Sequence, residues 1–327
     1  MKALILKESG TVDNFEYVEI EKPAIKPGYV LVEVHASSIN QIDIKIRQGL
    51  PIGPALPSPL GCDMAGVVTE VGEGVTGFKV GDEVYGCVAG VKGNSGALAE
   101  FILADADLLA HKPSNLSMKQ AAAMPLVAIA AWEALERAQV KAQDHVLIQG
   151  ALGGVGHIAV QLAVQLGATV SATVLGEHDD TFLKNAGVAN VIDVSQASVQ
   201  EYVEQYTNGK GFDVVFDTVG GANLDRAFEG IGLNGRVAAI AARSTHDLSP
   251  LHAKSASLHV VFMLLPMLNG AGRAAHGVIL KQLTELVEAG KVRPLVDDQH
   301  FTLAQGGQAQ SYLESGKAHG KVVVSIK

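Results

Sequence analysis

Cysteine and positive charge are scarce in this chain, and each shortage excludes a class of protein. The 327 residues include two cysteines, Cys62 and Cys87. Two cysteines cannot build a disulfide framework or a four-cysteine zinc site. Aspartate and glutamate (34) outnumber lysine and arginine (25), which gives a formal net charge of −9. A surface of this sign repels nucleic acid, so we expect no nucleic-acid partner.

Long apolar runs are also lacking. The apolar start, residues 1–6, is too short for a signal peptide and is followed by Lys7. The longest late run, residues 260–268, contains Pro266 and is too short to span a bilayer. We therefore expect no membrane partner and, by default, a cytoplasmic location. With 48% hydrophobic residues and 36 glycines, the composition is that of a loop-rich globular enzyme of about two domains.

A glycine-rich turn organises the rest of the chain. The apolar run 146–148 predicts a buried strand, the stretch 150–156 is rich in glycine, and apolar residues at helical spacing follow. A further strand predicted at 169–175 completes a β-α-β unit. Such a junction directs backbone N–H groups and the positive end of a helix dipole at one point. That arrangement suits a pyrophosphate.

The turn fits most of the dinucleotide fingerprint G-x-G-x-x-G. Ala151 replaces the first glycine, whereas Gly153 and Gly156 fit the second and third. Glycine is needed because a Cβ would block the turn or hold the phosphates away. We predict that a dinucleotide binds at Gly153, Gly154 and Val155. The alternative is a glycine turn that serves packing alone.

Two patterns of secondary structure follow each other along the chain. Residues 1–112 contain short runs of strand type separated by glycine and proline, which predicts a compact antiparallel barrel or sandwich. From Ser117 onwards, where a capping box begins, helices and strands alternate, and Pro125 should kink or divide the first helix. Alternation implies a parallel sheet covered on both faces. A last strand, 321–326, is expected to return to the first domain.

The predicted elements can be given by range. In the first part, strands are expected at 2–6, 15–20, 29–36, 65–71, 83–87 and 97–103. In the alternating part, strands are expected at 145–149, 169–175, 190–193, 212–217, 235–241 and 257–263. Helices are expected at 121–138, 154–166, 178–186, 197–206, 222–229 and 273–289.

Seven motifs occur in one order along nearly the whole chain: VVTEVGEGV at 67–75, FKVGDEVYG at 78–86, PL at 125–126, AWEAL at 131–135, GGVG at 153–156, DVVFDTVG at 213–220 and GKVVV at 320–324. In these motifs and in their order, the chain resembles the medium-chain dehydrogenase/reductase superfamily. Within it, the chain resembles the zinc-independent quinone oxidoreductases, the zeta-crystallin-like group that includes plant enone reductases. The resemblance implies an α/β fold with a Rossmann doubly wound parallel sheet and a GroES-like β-rich barrel domain.

The resemblance also implies the domain limits and the metal content. It divides the chain into a GroES-like catalytic domain at 1–120, a Rossmann NADP(H)-binding domain at 121–264 and a return to the catalytic domain at 265–327. Zinc-dependent relatives place a cysteine in the segment that contains Asn40, and His-Glu where this chain has Cys62 and Asp63. Because an amide is a poor zinc ligand and imidazole is missing, we expect no metal site. The alternative is a residual metal site at Cys62 and Asp63.

Without a metal Lewis acid, alcohol oxidation is difficult, whereas hydride donation to an electron-poor acceptor remains feasible. We predict an NADPH-dependent oxidoreductase that reduces a small-molecule quinone or an activated C=C bond (enone). The resemblance places Asn40 beside the nicotinamide and the substrate, with a helix N-cap as the alternative role. Tyr85 is a candidate proton donor, with core packing as its alternative. Competing functions are a zinc-type alcohol dehydrogenase and a dinucleotide-binding protein with little catalysis.

Cofactor preference depends on the end of the second strand of the β-α-β unit. NAD-preferring sites place an acid there for the ribose 2′-OH, and motif matching puts Val174 at that place, so we predict NADP(H). Candidates for the 2′-phosphate are Thr173, His178 and Lys184. Glu177 would repel a phosphate if it pointed inward.

The resemblance implies further contacts with the cofactor, and core packing is the alternative for each. These residues are Thr218, Val219, Ile240, Ala241, Phe262, Met263 and Lys321. The apolar strand 257–263 would lie at a sheet edge, and its unpaired backbone groups favour pairing with a second copy. We therefore expect a homodimer. No Ser/His/Asp nucleophile set is evident in the sequence.

Overall fold

The chain folds into two units, each with its own sheets and core. In the computed structural model, unit 1 comprises Met1–Ile129 and Leu264–Lys327, and unit 2 comprises Ala130–Met263. The structure describes residues 1–176 and 179–327. Two residues named in the sequence analysis, Glu177 and His178, lie outside the described residues.

Antiparallel strands form most of the first part of unit 1, as the short strand-type runs predict. The strands are β1 (Lys2–Leu6), β2 (Phe15–Glu19), β3 (Tyr29–Ser38), β4 (Ser58–Pro59), β5 (Asp63–Val71), β6 (Glu83–Cys87), β7 (Phe101–Asp105) and β8 (Leu109–His111). The helices are α1 (Gln41–Arg47) and α2 (Met118–Ala122), followed by α3 (Pro125–Arg137), which begins in unit 1 and continues into unit 2. The long strand β3 pairs with both β5 and β7, and its far end with the C-terminal strand.

One strand of unit 1 is displaced from its predicted place. The sequence predicts a strand at 97–103, but β7 begins only at Phe101. The backbone N–H groups of Ala97 and Leu98 instead donate to the carbonyls of Gly61 and Leu60, each at 2.9 Å. This pairing with residues 60–61, which are distant in sequence, takes the first residues of the predicted strand out of the ladder.

Pro125 divides the predicted helix 121–138 into α2 and α3. Ser117 Oγ accepts from the Gln120 N–H at 3.3 Å, which caps α2 as the capping box predicts. Pro125 begins α3, where its missing N–H leaves no hydrogen bond unmade. The division therefore follows from proline chemistry alone.

Unit 2 is a parallel sheet with intervening helices. Its strands are β9 (His145–Gln149), β10 (Thr169–Val174), β11 (Asn190–Asp193), β12 (Phe212–Asp217), β13 (Ile231–Ala239) and β14 (Ser257–Val260). Its helices are α4 (Gly156–Gln165), α5 (Thr181–Asn185), α6 (Val199–Thr207), α7 (Ala222–Gly230) and α8 (Ser249–Ala253). The described strands lie in the order β11-β10-β9-β12-β13-β14, and all neighbours are parallel. This is the doubly wound Rossmann order, which confirms the predicted fold class.

The sheet of unit 2 packs on an aromatic and aliphatic core. Tyr202, Phe212 and Phe228 are almost fully buried together with aliphatic residues of β9, β12 and β13. Burying one such side chain contributes about 1.5–3 kcal/mol. Strand β14 is shorter than predicted and ends at Val260, after which the Val261 N–H donates once more to Ala239 O at 2.9 Å.

The last segment of the chain belongs to unit 1. It contains α9 (Leu265–Asn269), α10 (Ala274–Glu288), β15 (Phe301–Thr302), α11 (Gly306–Glu314) and β16 (Val323–Ser325). Strand β16 pairs antiparallel with β3, with Val323 opposite Ser38. The predicted return of the last strand to the first domain is thus confirmed. Within residues 1–176 and 179–327, no helix is both long enough and apolar enough to cross a membrane.

Candidate active site

The glycine turn of unit 2 is fixed to the neighbouring strand β10. Gly150, with a φ of +71°, leaves β9 in the left-handed region. Its N–H donates to Thr173 Oγ1 at 3.2 Å, and the Ala151 N–H donates to Thr173 O at 3.0 Å. Thr173, predicted to contact the 2′-phosphate, therefore has a clear role in holding the turn.

The turn has the shape and the donors that a pyrophosphate needs. A Cβ on Gly156 would lie 2.1 Å from Gly150 O, so only glycine allows α4 to begin this close to the strand. Among the described residues, the backbone N–H groups of Gly154 and Val155 make no hydrogen bond. Both stand at the start of α4, where the helix dipole is positive. A dinucleotide therefore fits this turn.

The last residue of β10 is not an acid. This residue is Val174, which is buried. Motif matching aligns it with the acid of NAD-preferring sites. Lys184 is exposed and forms an ion pair with Asp180 Oδ2 at 2.9 Å, one turn earlier. Sequence reasoning missed Asp193, the last residue of β11, whose Oδ1 accepts from the Gly176 N–H at 2.9 Å. The sequence signal for Asp193 is its position at the end of a strand in a parallel sheet, where ligands bind.

The ends of β12 and β13 lie beside the glycine turn. Thr218 Oγ1 donates to Gln149 O at 2.7 Å. A Cβ on Gly150 would lie 2.9 Å from Thr218 Oγ1 and 2.7 Å from Val219 Cγ2. Asp217 was not predicted as a site residue, yet its carboxylate accepts from the Val219 N–H at 2.9 Å and shapes this loop.

The remaining predicted contacts of unit 2 follow β13 and β14. Ile240 and Ala241 are half-buried, and Ala241 O would lie 2.4 Å from a Cβ on Gly220. Met263 is buried, whereas Phe262 is 37% exposed. The structure therefore brings Ala241 to the end of β12, while Phe262 and Met263 follow the edge strand.

A buried polar cluster in unit 1 surrounds Asn40. Asn40 Nδ2 donates to Asp63 Oδ2 at 2.9 Å, and Ser38 Oγ donates to the same oxygen at 2.9 Å. Asp63 Oδ1 accepts from the Leu126 N–H at 2.8 Å. Burial raises the pKa of Asp63, whereas Lys321 and these hydrogen bonds favour its charged form. With donors on both oxygens, we treat Asp63 as a carboxylate.

Lys321 is the cation of this cluster. Its Nζ donates to Asn40 Oδ1 and, at 3.0 Å, to Ile39 O, and it lies 3.7 Å from Asp63 Oδ2. The sequence predicts Lys321 as a cofactor contact, whereas the structure gives it partners within unit 1. Lys321 and Asn40 meet because Ile39 N–H donates to Val322 O at 2.9 Å, next to the pairing of β16 with β3.

Asn40 also precedes α1, so both of its predicted roles are compatible with its position. Its N–H donates to Asp43 Oδ2 at 2.8 Å, which joins the residue before the helix to the first turn. Burial raises the pKa of Asp43 to about 6. Asp43 Oδ1 is buried without a hydrogen-bond partner among the described residues.

The two cysteines are buried thiols in the same region. Cys62 and Cys87 are both free and fully buried. A hydrogen bond with the Cys87 thiol, followed by burial, raises the pKa of Cys62. In the part of the chain that the structure describes, no group of three or more His, Cys, Asp or Glu side chains could hold a metal ion.

Tyr85 lies in the core of unit 1. Its side chain is fully buried, and its hydroxyl donates to Leu280 O at 2.8 Å, with Thr284 Oγ1 at 3.0 Å. Burial raises the pKa of Tyr85 far above that of a free phenol. These contacts favour the packing role over the proton-donor role.

A hydrogen-bonded chain that the sequence did not indicate joins a loop of unit 2 to α7. Ser244 Oγ lies 2.5 Å from His246 Nε2, and His246 Nδ1 lies 2.7 Å from Asp225 Oδ1. This is the order of a nucleophile, a base and an orienting acid. Because the Asp225 side chain is 51% exposed, water screens its charge, and we interpret the chain as a tether of the loop after β13.

The fold and the site together are those of a two-domain dehydrogenase. Residues 26–114 match the alcohol dehydrogenase GroES-like domain, and residues 186–324 match the family described as zinc-binding dehydrogenase. The chain belongs to the medium-chain dehydrogenase/reductase superfamily, which confirms the resemblance inferred from its motifs. The family description does not place a metal in this chain.

Relatives and solved structures cover the whole chain. The chloroplastic NADPH-dependent alkenal/one oxidoreductase of Arabidopsis thaliana is 34% identical over 333 residues, which are 99% of this chain and 79% of that protein. The 2-methylene-furan-3-one reductase of Solanum lycopersicum is 33% identical, with the same coverage of 99% and 79%. A crystal structure of an alcohol dehydrogenase superfamily protein from Novosphingobium aromaticivorans has a TM-score of 0.95 at 39% identity, covering 100% of both chains. The Escherichia coli quinone oxidoreductase complexed with NADPH has a TM-score of 0.88 at 28% identity, covering 100% of both chains.

Proposed function

We propose that this protein is an NADPH-dependent reductase of enones or quinones that works without a metal. The observation that carries the proposal is the cluster around Asn40. Where zinc-dependent relatives have a metal ligand, this chain has an amide bonded to Asp63 and Lys321. An amide N–H can hold the oxygen of an acceptor, but it cannot replace a metal in alcohol oxidation.

Two relatives support the acceptor class. The names of the Arabidopsis thaliana and Solanum lycopersicum proteins specify an alkenal/one and a 2-methylene-furan-3-one. Both are compounds with a C=C bond conjugated to a carbonyl. We propose the same class for this chain because an uncharged donor such as Asn40 suits a conjugated carbonyl oxygen.

NADPH, when bound, supplies the hydride. The residues of this chain bind the cofactor, orient the acceptor and stabilise the negative charge that develops on it. The N–H groups of Gly154 and Val155 would hold the pyrophosphate. Asn40 Nδ2 would donate to the acceptor oxygen, where negative charge grows as the hydride arrives. Because the Tyr85 hydroxyl is committed to a backbone carbonyl, we assign the final proton to solvent.

The preference for NADPH over NADH is part of the proposal. Val174 stands where NAD-preferring sites place an acid, so the last residue of β10 neither repels a 2′-phosphate nor binds a 2′-OH. Lys184 is exposed and paired with Asp180, and we propose that it exchanges this partner for the 2′-phosphate. The NADP(H)-bound relative supports this assignment. Titration with both nucleotides tests it, and tighter binding of NADH would contradict it.

We also propose a homodimer in the cytoplasm. Strand β14 lies at the end of the described sheet, and its last residue, Val260, is 52% exposed. An apolar edge strand favours pairing with a second copy. The cytoplasmic location stays a prediction, which cell fractionation would test.

The function itself is tested by NADPH oxidation with a panel of quinones, enones and saturated aldehydes. We expect turnover with quinones or enones and none with saturated aldehydes or with alcohols plus NADP+. Turnover limited to alcohols and aldehydes would contradict the proposal. Binding of NADPH without turnover of any acceptor would favour a dinucleotide-binding protein with little catalysis.

A further inference from the structure

Asn40 is held between two groups of opposite hydrogen-bonding character. Its Oδ1 accepts from Lys321 Nζ, which has only donors, and its Nδ2 donates to the Asp63 carboxylate, which has only acceptors. Exchanging the oxygen and nitrogen of the amide would set donor against donor and acceptor against acceptor. The amide therefore has one orientation, fixed by chemistry as well as by the fold.

In this orientation, Asn40 can donate a hydrogen bond to a ligand but cannot accept one from it. Of the two hydrogens on Nδ2, one is given to Asp63, and the other has no partner among the described residues. The Oδ1 atom is occupied by Lys321. A ligand at Asn40 is therefore selected for an oxygen that accepts a hydrogen bond.

Lys321 places a positive charge behind the amide. Lys321 is 2% exposed and Asp63 is 0% exposed, so little water screens either charge. Lys321 Nζ has three acceptors near it, Ile39 O, Asn40 Oδ1 and Asp63 Oδ2, which match the three hydrogens of an ammonium group. A cation on Oδ1 withdraws electron density from the amide and makes its free N–H a stronger donor.

We propose that Lys321 is a positioning residue that fixes and polarises Asn40 as a donor for a developing oxyanion. The inference rests on the proposed function and states what its substrates share, namely that their reduction leaves negative charge on a conjugated oxygen, as in enones, enals and quinones. For an enone, the hydride adds to the carbon β to the carbonyl, and the C=C electron pair moves to give an enolate. A proton from solvent then adds at the α carbon. The polarised N–H binds the enolate oxygen more strongly than the neutral carbonyl, which lowers the barrier.

The first experiment compares Lys321→Met and Lys321→Arg with the wild type in enone reduction. Lys321→Met removes the charge and keeps an unbranched side chain one atom shorter, so we expect kcat to fall by about 10- to 100-fold while KM and the Kd for NADPH change by less than about threefold. Lys321→Arg keeps the charge and should recover part of kcat. The matched control is Lys317→Met at an exposed lysine of the same segment, which should behave as wild type.

The second experiment measures a property that a structural role would not change. Substituted phenols of increasing acidity stand in for the enolate, and their inhibition constants are measured with NADP+ present. In the wild type we expect affinity to rise as the phenol becomes more acidic, because the donor favours charge on oxygen. In Lys321→Met this dependence should be weaker. Equal slopes in both proteins, or unchanged kcat in Lys321→Met, would overturn the inference.

If Lys321→Met does not fold, a double variant still tests the inference. Lys321→Met with Asp63→Asn removes both buried charges together, so neither is left unpaired. The double variant should fold, bind NADPH and show the same loss of kcat and the same weak dependence on phenol acidity. Wild-type kcat in a folded double variant would contradict the inference. Absence of enone or quinone turnover in the wild type would instead contradict the proposed function, so the two failures are distinguishable.

Discussion

At the scale of single residues, the buried carboxyl of Asp43 makes the stability of the protein depend on pH. It is buried, one oxygen accepts from the Asn40 N–H, and the other has no partner among the described residues. Burial raises its pKa from 3.8 to about 6. A folded pKa above the unfolded value means that its contribution to stability is present below about pH 4. That contribution is lost as pH rises through about 6.

Asp43→Asn should therefore remove a pH-dependent part of the stability. Relative to wild type, its free energy of unfolding should increase between pH 4.5 and pH 7.5 by about 2 kcal/mol, because the variant never ionises. Urea unfolding at both pH values measures this difference. The control is Asp298→Asn at an exposed carboxylate, which should show little change. A difference for Asp43→Asn that does not depend on pH would contradict the account.

Tyr85 gives a second prediction at this scale. Because its hydroxyl donates to Leu280 O, Tyr85→Phe should lower the free energy of unfolding by about 1 kcal/mol and leave kcat within about twofold of wild type. Urea unfolding and NADPH oxidation on the same preparation measure both. A loss of kcat of about 100-fold in a stable Tyr85→Phe variant would restore Tyr85 as the proton donor.

At the scale of elements, the junction of β9 and α4 is the most constrained part of unit 2. The carbonyl of Gly150 lies where a side chain of Gly156 would begin, at 2.1 Å from an added Cβ. The helix start and the strand end are therefore held at a separation that only glycine permits. This separation sets the positions of the Gly154 and Val155 N–H groups.

Gly156→Ala should accordingly weaken dinucleotide binding by more than about tenfold, because the start of α4 has to move away from β9. Gly77→Ala is the matched control, since an added Cβ there meets nothing within 4 Å. Fluorescence titration with NADPH measures both variants. Gly154→Asp, which fills the pyrophosphate space with a negative charge, should abolish binding. Wild-type affinity in Gly156→Ala would refute the assigned role of the turn.

The sequence predicts elements well where one local signal decides them. The strands at 145–149, 190–193 and 212–217 have the predicted limits because an apolar run bounded by polar residues and glycine defines each. Strand β7 was displaced because residues 97–98 pair with a loop distant in sequence. The cluster of Asn40, Asp63 and Lys321 could not be predicted as a unit, since the pairing of β16 with β3 brings together residues that lie 281 positions apart.

At the scale of the whole molecule, the edge of the unit 2 sheet determines the assembly that we propose. Strand β14 has β13 on one side and is the last described strand on the other. Val260, at the end of β14, and Phe262, just after it, are exposed apolar residues. We therefore predict that the homodimer forms through the β14 edge of this sheet.

Val260→Pro should weaken that assembly, because proline removes a backbone donor at the edge. We expect the wild type to be a dimer at micromolar concentration by light scattering and the variant to shift toward a monomer. The control is Val80→Pro, at an exposed valine in a turn of unit 1, which should leave the mass unchanged. A monomeric wild type would reject the proposal.

The central claim is that the protein transfers a hydride from NADPH to a conjugated acceptor without a metal. NADPH deuterated at the transferred position of the nicotinamide, used with a simple enone, tests it most directly. Mass spectrometry and NMR locate the deuterium in the product, and elemental analysis measures zinc in the same chelator-treated sample. We predict one deuterium on the carbon β to the carbonyl and full turnover without stoichiometric zinc. Deuterium on the carbonyl carbon, or turnover that stops when bound zinc is removed, would contradict the account.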